Sequence, residues 1–243
     1  MFPIHDENPT IHRPFATYAI IALNIAVWML VQGLGADAPL ARSLCLYALI
    51  PGELLNLAPA GTIIPISDNL GCALENGSWF SLISHQFLHG GWFHIIANMW
   101  FLWIFGDNVE DVMGPFRFIA FYLLCGLAAA FAQIVSDPGA LFPMVGASGA
   151  IGGVLGAYAR LYPQARIVTV IFLGFFFTTI SLPAIAMLGY WFFLQLAGAA
   201  PGLKGVGGVA FWAHIGGFLA GLALVGFIRR EDYYAERLRN IRL

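Results

Sequence analysis

Four polar side chains interrupt otherwise apolar stretches of this chain. His94 and Asn98 fall in one, Ser148 opens a second, and His214 lies inside a third. Ionisable groups within apolar spans are costly and are functional candidates by default. A serine hydroxyl within about 3 Å of an imidazole can lose its proton as the oxygen attacks a carbonyl, which is the chemistry of acyl transfer. His94 and Asn98, four residues apart, share one helix face. Taken singly, each residue has a plainer reading. A serine in a membrane helix commonly bonds its own backbone, and the others can serve as packing or interhelical glue. The question is whether the elements that carry them bring them together.

Composition sets the environment of those elements. Of 243 residues, 60% are hydrophobic and 10% charged, and the mean hydropathy is +0.80. Soluble domains average about 45–50% apolar and about 25% charged. This balance excludes a disordered chain, a nucleic-acid binder and an ordinary soluble enzyme. It leaves a polytopic membrane protein, and its helix-length apolar stretches make the expected fold class all-α. The net charge of −2 names no partner. Three cysteines are too few for a disulfide framework and lack metal-ligand spacing. Cys45 and Cys72 could pair if their loop faces an oxidising compartment.

Six membrane spans are expected, at about 17–34, 94–105, 116–135, 148–161, 167–196 and 209–228, the fifth with a possible surface segment at its start. The whole chain then forms one membrane domain. Residues 1–16 are a cytoplasmic segment and 35–92 a long outer loop, too polar and proline-broken to span, with short helices on the membrane surface. Residues 229–243 are a cytoplasmic tail. No small-residue cleavage site follows the first span, so it is expected to stay attached. Arg13, Arg117, Arg160, Arg166, Arg229, Arg230, Arg237, Arg239 and Arg242 fall on one side of this arrangement, nine of the eleven basic residues. Only Arg42 and Lys204 fall on the other. The bias places both termini in the cytoplasm, and a miscounted span would scramble it. His5 and His12 then read as solvated, Trp92, Tyr162 and Trp212 as interfacial belt, and the last arginines as a tail on anionic lipid.

Depth arithmetic brings the four polar residues together. At 1.5 Å per residue, Ser148 stands about 18 Å above Arg160, and His214 about 22 Å above Arg229. Both lie roughly 8–12 Å below the outer surface of a core about 30 Å thick. Asn98 and His94 stand about 14 and 20 Å above Asp107, at a similar level. The fourth span, about 21 Å long, is too short to cross alone, so its outer end is recessed. Backbone that is not helical at that depth must line a cavity or be buried in protein, and the stretch from Phe142 to Ala147 is expected to line one. A serine there sits at a helix N-terminus, where free N–H groups and the dipole favour developing negative charge. Gly149/Gly153, Gly152/Gly156 and Gly217/Gly221 are small-residue pairs that let two helix backbones approach closely. That approach would bring Ser148 to His214.

Three segments together resemble the rhomboid family of intramembrane serine proteases. They are His85-x3-His89-x4-His94-x3-Asn98 leading into span two, Gly146-Ala147-Ser148-Gly149 opening span four, and Ala213-His214-x2-Gly217-x3-Gly221 in span six. The resemblance implies a six-helix rhomboid-like bundle that cleaves other membrane proteins in or near their spans. Ser148 would be the nucleophile and His214 the general base of a dyad with no acidic third member. His94, Asn98 and the Ser148 N–H would form the oxyanion hole. His89, Gly146 and Gly149 would be structural near the site, and Glu110 would brace the fold. The partners implied are single-span or polytopic membrane substrates and the bilayer of a cell membrane, with the site opening outward. No cofactor, metal or nucleic acid is implied. One departure is visible: where family members commonly carry Trp-Arg, this chain has Trp79-Phe80, which bears on loop anchoring rather than on the dyad. The aromatic, glycine-poor fifth span, with Phe172, Phe175, Phe176, Phe177, Trp191, Phe192 and Phe193, is expected to pack loosely as a lateral gate. The polar loops around 136–139 and 202–208 are expected to admit water.

Three other classes fit less well. A metal-dependent membrane protein could use His85, His89 and His94, yet there is no His-Glu-x-x-His and no carboxylate to complete a site. A transporter would show repeated halves. A non-catalytic rhomboid-like binding protein would lack the serine or the histidine, and both are present.

Overall fold

The computed structural model describes residues 2–67, 70–173, 176–200 and 209–240. Lys204, Arg242, Phe175 and the loop 202–208 lie outside the described residues, as does the side chain of Phe172. The chain is mostly helical. In order it runs β1 (Phe2–Asp6), α1 (Phe15–Leu30), α2 (Asp37–Tyr47), α3 (Pro51–Leu54), β2 (Ile63–Ser67), β3 (Leu70–Ala73), α4 (Ser81–Ser84), α5 (Trp92–Asp111) and α6 (Pro115–Ser136). It continues with α7 (Ser148–Leu161), β4 (Arg166–Leu173), β5 (Phe176–Pro183), α8 (Ala184–Gly198), α9 (Phe211–Ile228) and α10 (Glu231–Asn240).

α7 is the axis of the bundle and packs on α5, α6, α8 and α9. Every residue from Gly149 to Ala159, and Leu161, is buried. Its glycines do the work expected of small residues. A Cβ at Gly217 would overlap the Gly149 carbonyl, one at Gly221 the Gly153 carbonyl, and one at Gly156 the Phe218 carbonyl. α7 and α9 therefore touch backbone to backbone, which side chains at those positions would prevent. Below them, Phe105, Tyr158 and Tyr162 stack edge to face in the core. α6 and α9 are both long and apolar enough to cross a membrane, while α1 and α8 are apolar but shorter.

Several expectations are corrected. The second span, expected at about 94–105, runs on as α5 to Asp111. In that last stretch Asn108, Glu110 and Asp111 are buried and partnered, and Glu110 braces the fold as the resemblance implies. Glu110 accepts hydrogen bonds from the Ala16 and Thr17 backbone N–H groups and from the Thr17 hydroxyl, at 2.7–2.8 Å. It thereby caps α1, whose own N-cap residue is Pro14 and supplies no side-chain bond.

The first half of the expected fifth span is a β-hairpin. β4 and β5 pair antiparallel from Arg166↔Pro183 to Leu173↔Phe176. The β-branched run from Ile167 to Ile171 favours strand over helix, and only α8, beginning after Pro183, is helical. β1 adds to the other side of β4, with Asp6 opposite Ile167, so the sheet order is β1-β4-β5. The N-terminal segment is therefore a paired strand rather than a free tail: His5 is exposed, as expected, while His12 bonds Asp111 at 2.9 Å.

The C-terminal segment is not a free tail either. It forms α10, whose Arg237 is buried and pairs with Asp111, with further bonds to Asn8 and Asn108 at 2.7 and 2.8 Å. The region between α1 and α5 contains helices, as expected, and also a β2–β3 hairpin tied to α2 by a Cys45–Cys72 disulfide.

Candidate active site

Ser148 is the first residue of α7. The chain reaches it through a cradle built by the preceding segments. Met144 and Leu49 exchange backbone hydrogen bonds at 3.1 and 2.8 Å, and the Gly146 N–H donates to the His85 carbonyl at 2.9 Å. Gly146 has φ +120, and a Cβ there would stand 2.6 Å from His94 Nε2. Only glycine satisfies both the backbone angle and the close approach.

Ser148 Oγ lies 2.8 Å from His214 Nε2. The glycine contacts between α7 and α9 set this spacing, since Gly217 sits one turn below His214 and against Gly149. The other ring nitrogen, His214 Nδ1, lies 2.8 Å from Gln195 Oε1 on α8. The Trp191 ring flanks the imidazole with centroids 5.9 Å apart. A glutamine in an aromatic helix belongs to no motif, and sequence reasoning missed it.

The serine–histidine pair opens onto a cavity of about 800 Å³ that His94 and Asn98 also line. Asn98 Nδ2 is buried with no hydrogen-bond partner among the described residues. His94 Nδ1 accepts a hydrogen bond from the Gly90 N–H at 3.3 Å, which leaves Nε2 as the donor in the neutral ring. The first-turn N–H groups of α7 have no helical acceptor. Donors from α5 and α7 thus border the same cavity as the hydroxyl. Of Phe142–Ala147, expected to line that space, Pro143, Met144 and Val145 do.

His89 stands behind His94, fully buried, with the rings edge to face at 5.2 Å. Burial first, and the neighbouring His94 second, push its pKa down to about 3, so it is neutral. Its backbone is clasped by Gln32, which accepts from the His89 N–H and donates to the His89 carbonyl, both at 2.8 Å. His85 turns away, its Nδ1 on the Ser81 carbonyl at 2.7 Å. Burial holds its pKa down at about 4. Among the described residues, no three His, Cys, Asp or Glu side chains converge as a metal site requires. Trp79 and Phe80 are both exposed; the disulfide and the Leu49–Met144 bridge hold the outer segment instead.

Exposed apolar side chains around the bundle, among them Phe93, Phe116 and Phe227, and two helices long and apolar enough to cross a bilayer fit a membrane-embedded class of protein. The rhomboid domain profile matches residues 76–231, and the chain belongs to the rhomboid family. It is similar to rhomboid protease GluP of Bacillus subtilis, 29% identical over 212 residues that cover 87% of this chain and 35% of that protein. It is also similar to the human mitochondrial presenilin-associated rhomboid-like protein, 34% identical over 155 residues, covering 60% of this chain and 37% of the relative. Mitochondrial rhomboid protein 1 of Saccharomyces cerevisiae is 27% identical over 170 residues, covering 68% and 46%. The chain thus spans between about a third and a half of the length of these relatives.

Proposed function

We propose that this chain is an intramembrane serine endopeptidase that cleaves single-span or polytopic membrane proteins in or near their spans. The observation that carries the reading is the 2.8 Å approach of Ser148 Oγ to His214 Nε2 at a helix N-terminus facing a cavity. Membership of a family that includes a protein named as a protease supports it.

In the proposed reaction, His214 Nε2 takes the hydroxyl proton as Ser148 Oγ bonds to the scissile carbonyl carbon. The oxyanion accepts hydrogen bonds from Asn98 Nδ2, His94 Nε2 and the Ser148 N–H. The imidazolium returns its proton to the leaving amine, giving an acyl-enzyme. Water, deprotonated by the same imidazole, then releases the acyl group and restores the serine. The oxyanion is the largest new charge, and one such donor contributes on the order of 10²–10³ in rate.

The proposed topology has six spans, α1, α5, α6, α7, α8 and α9, with both termini cytoplasmic and the cavity toward the outside of a cell membrane. The arginine bias supports it. So does the disulfide in the segment between α1 and α5, since such bonds persist in oxidising compartments.

The test is reconstitution in liposomes with a model single-span substrate. The wild type is expected to cleave, while Ser148→Ala and His214→Ala abolish cleavage and keep the fold. A fluorophosphonate probe is expected to label the wild type and not Ser148→Ala. Absence of both cleavage and labelling in the wild type would make the chain a non-catalytic relative.

A further inference from the structure

We infer that Gln195 is a third member of this site, a positioning residue that fixes the tautomer and ring angle of His214. The inference deepens the protease reading and rests on it only for its kinetic consequences. A serine general base needs an unprotonated Nε2 aimed at the hydroxyl. A neutral imidazole carries its single proton on either nitrogen, and whichever group the far nitrogen meets decides which. Here the far nitrogen meets a carbonyl oxygen, Gln195 Oε1, at 2.8 Å.

The amide cannot swap ends freely. Its Nε2 donates to the Trp191 carbonyl one turn earlier in α8, at 3.1 Å, so the oxygen is the atom that faces the imidazole. Gln195 is buried, and water does not compete for that bond. Nδ1 must therefore carry the proton, which leaves Nε2 as the acceptor for Ser148 at 2.8 Å. When Nε2 takes the serine proton, Nδ1–H remains donated to the amide oxygen, whose dipole then faces a cation. A soluble serine protease assigns this task to a carboxylate, and the wrong tautomer there is severely damaging. A neutral amide orients the ring without placing a second charge in an apolar bundle, where a carboxylate would be costly.

The helix that supplies Gln195 is held against α9. Phe192 stacks on Phe218 with centroids 4.6 Å apart, and Gly198 sits so close to the Phe211 ring that a Cβ would collide with it. The outer half of α8 is thus part of the base, and movement of α8 at this level uncouples His214. The ionisable groups facing the ring are Ser148 from α7 and His94 from α5. The outer halves of α6 and α8 carry no charged side chain at that level.

Two readouts test the assignment. The first needs no activity: ¹⁵N-histidine spectra of the Ser148→Ala protein, with His214 assigned by difference against the Ser148→Ala, His214→Gln double variant. The Nδ1–H tautomer is expected to dominate and to lose its dominance when Gln195→Leu is added. The second is the pH profile of cleavage in liposomes. Gln195→Ala is expected to lower kcat about 10- to 100-fold with KM unchanged. Gln195→Glu is expected to restore most of the rate and to move the acid limb up by roughly one pH unit, because a carboxylate favours the imidazolium. A tautomer that ignores Gln195→Leu, with wild-type profiles for Gln195→Ala and Gln195→Glu, overturns the inference while leaving the protease reading intact. A tautomer that responds in a protein that never cleaves overturns the protease reading alone.

Discussion

The carbonyl of Gly149 faces Gly217 so closely that the second residue has no room for a side chain. This contact fixes the distance between the helices that carry Ser148 and His214. A Gly217→Ala methyl would push α9 away from α7. Overpacking of this kind costs about 1–3 kcal/mol. The kinetic cost is expected to be larger, because a displacement of about 1 Å at a reacting pair can lose on the order of 10²-fold. Cleavage assays and melting curves of Gly217→Ala in detergent check this, with Gly189→Ala, where a Cβ meets nothing within 4 Å, as the control. Equal rates for the two variants would contradict the spacing argument.

Asn98 presents a buried amide nitrogen to the cavity with no partner among the described residues. Such a donor is expensive to maintain unless something accepts from it. If it meets the oxyanion, Asn98→Ala should lower kcat by about 10²–10³ and leave KM nearly unchanged. A loss confined to KM would place Asn98 in substrate binding instead. His94→Ala is the less clean experiment, since His94 also packs on His89.

The meeting of Ser148 and His214 was readable from sequence because three cheap signals agreed. Helical rise predicts one depth for both and the short fourth stretch predicts a recess, while the glycine pairs on both helices predict the backbone contact that the structure shows. The rest was not readable for reasons that differ by residue. Ile167–Ile171 carries a strand signal, yet its hydropathy also fits a membrane span, and period alone does not separate the two in a short apolar run. Of the two strands that flank it, β5 follows directly but carries the same apolar character, and β1 lies at the far end of the chain. Arg237 pairs with Asp111, 126 positions away, and a terminal arginine ordinarily indicates a solvated tail. Gln195 sits in a helix with no motif, and its role depends on which ring nitrogen it faces.

The disulfide between α2 and β3 closes a loop of 27 residues of separation. In the chain-entropy account, a loop of that size stabilises by roughly 3–4 kcal/mol. The same segment leads into Leu49, whose bridge to Met144 shapes the approach to Ser148. Cys45→Ser, or reductant added to the wild type, is expected to lower the melting temperature, open the stretch between α3 and α4 to protease, and slow cleavage. Reductant should have no further effect on Cys45→Ser. Unchanged protease resistance after reduction would show that the Leu49–Met144 bridge suffices to hold the segment.

Asp6, in β1, ties the N-terminal strand to the bundle: Tyr158 donates to its Oδ2 at 2.6 Å and Asn108 at 3.0 Å. Burial is the main influence on its carboxyl and raises the pKa from 3.8 to about 6, against the opposing pull of the Tyr158 hydrogen bond and the Arg237 charge. The folded state therefore holds this proton more tightly than the unfolded chain does. Between about pH 4 and about pH 6 the folded state binds more protons, so this group's contribution to stability falls as pH rises through that window. Two pKa units correspond to about 2.7 kcal/mol, an upper bound for a group only partly withdrawn from water. Asp6→Asn removes the titration but keeps an oxygen for Tyr158. Its melting temperature is expected to lose the decline seen in the wild type between pH 4 and 6, so that the variant gains on the wild type at pH 7. Parallel curves for the two proteins across that range would mean that the Asp6 carboxyl stays charged in the folded state.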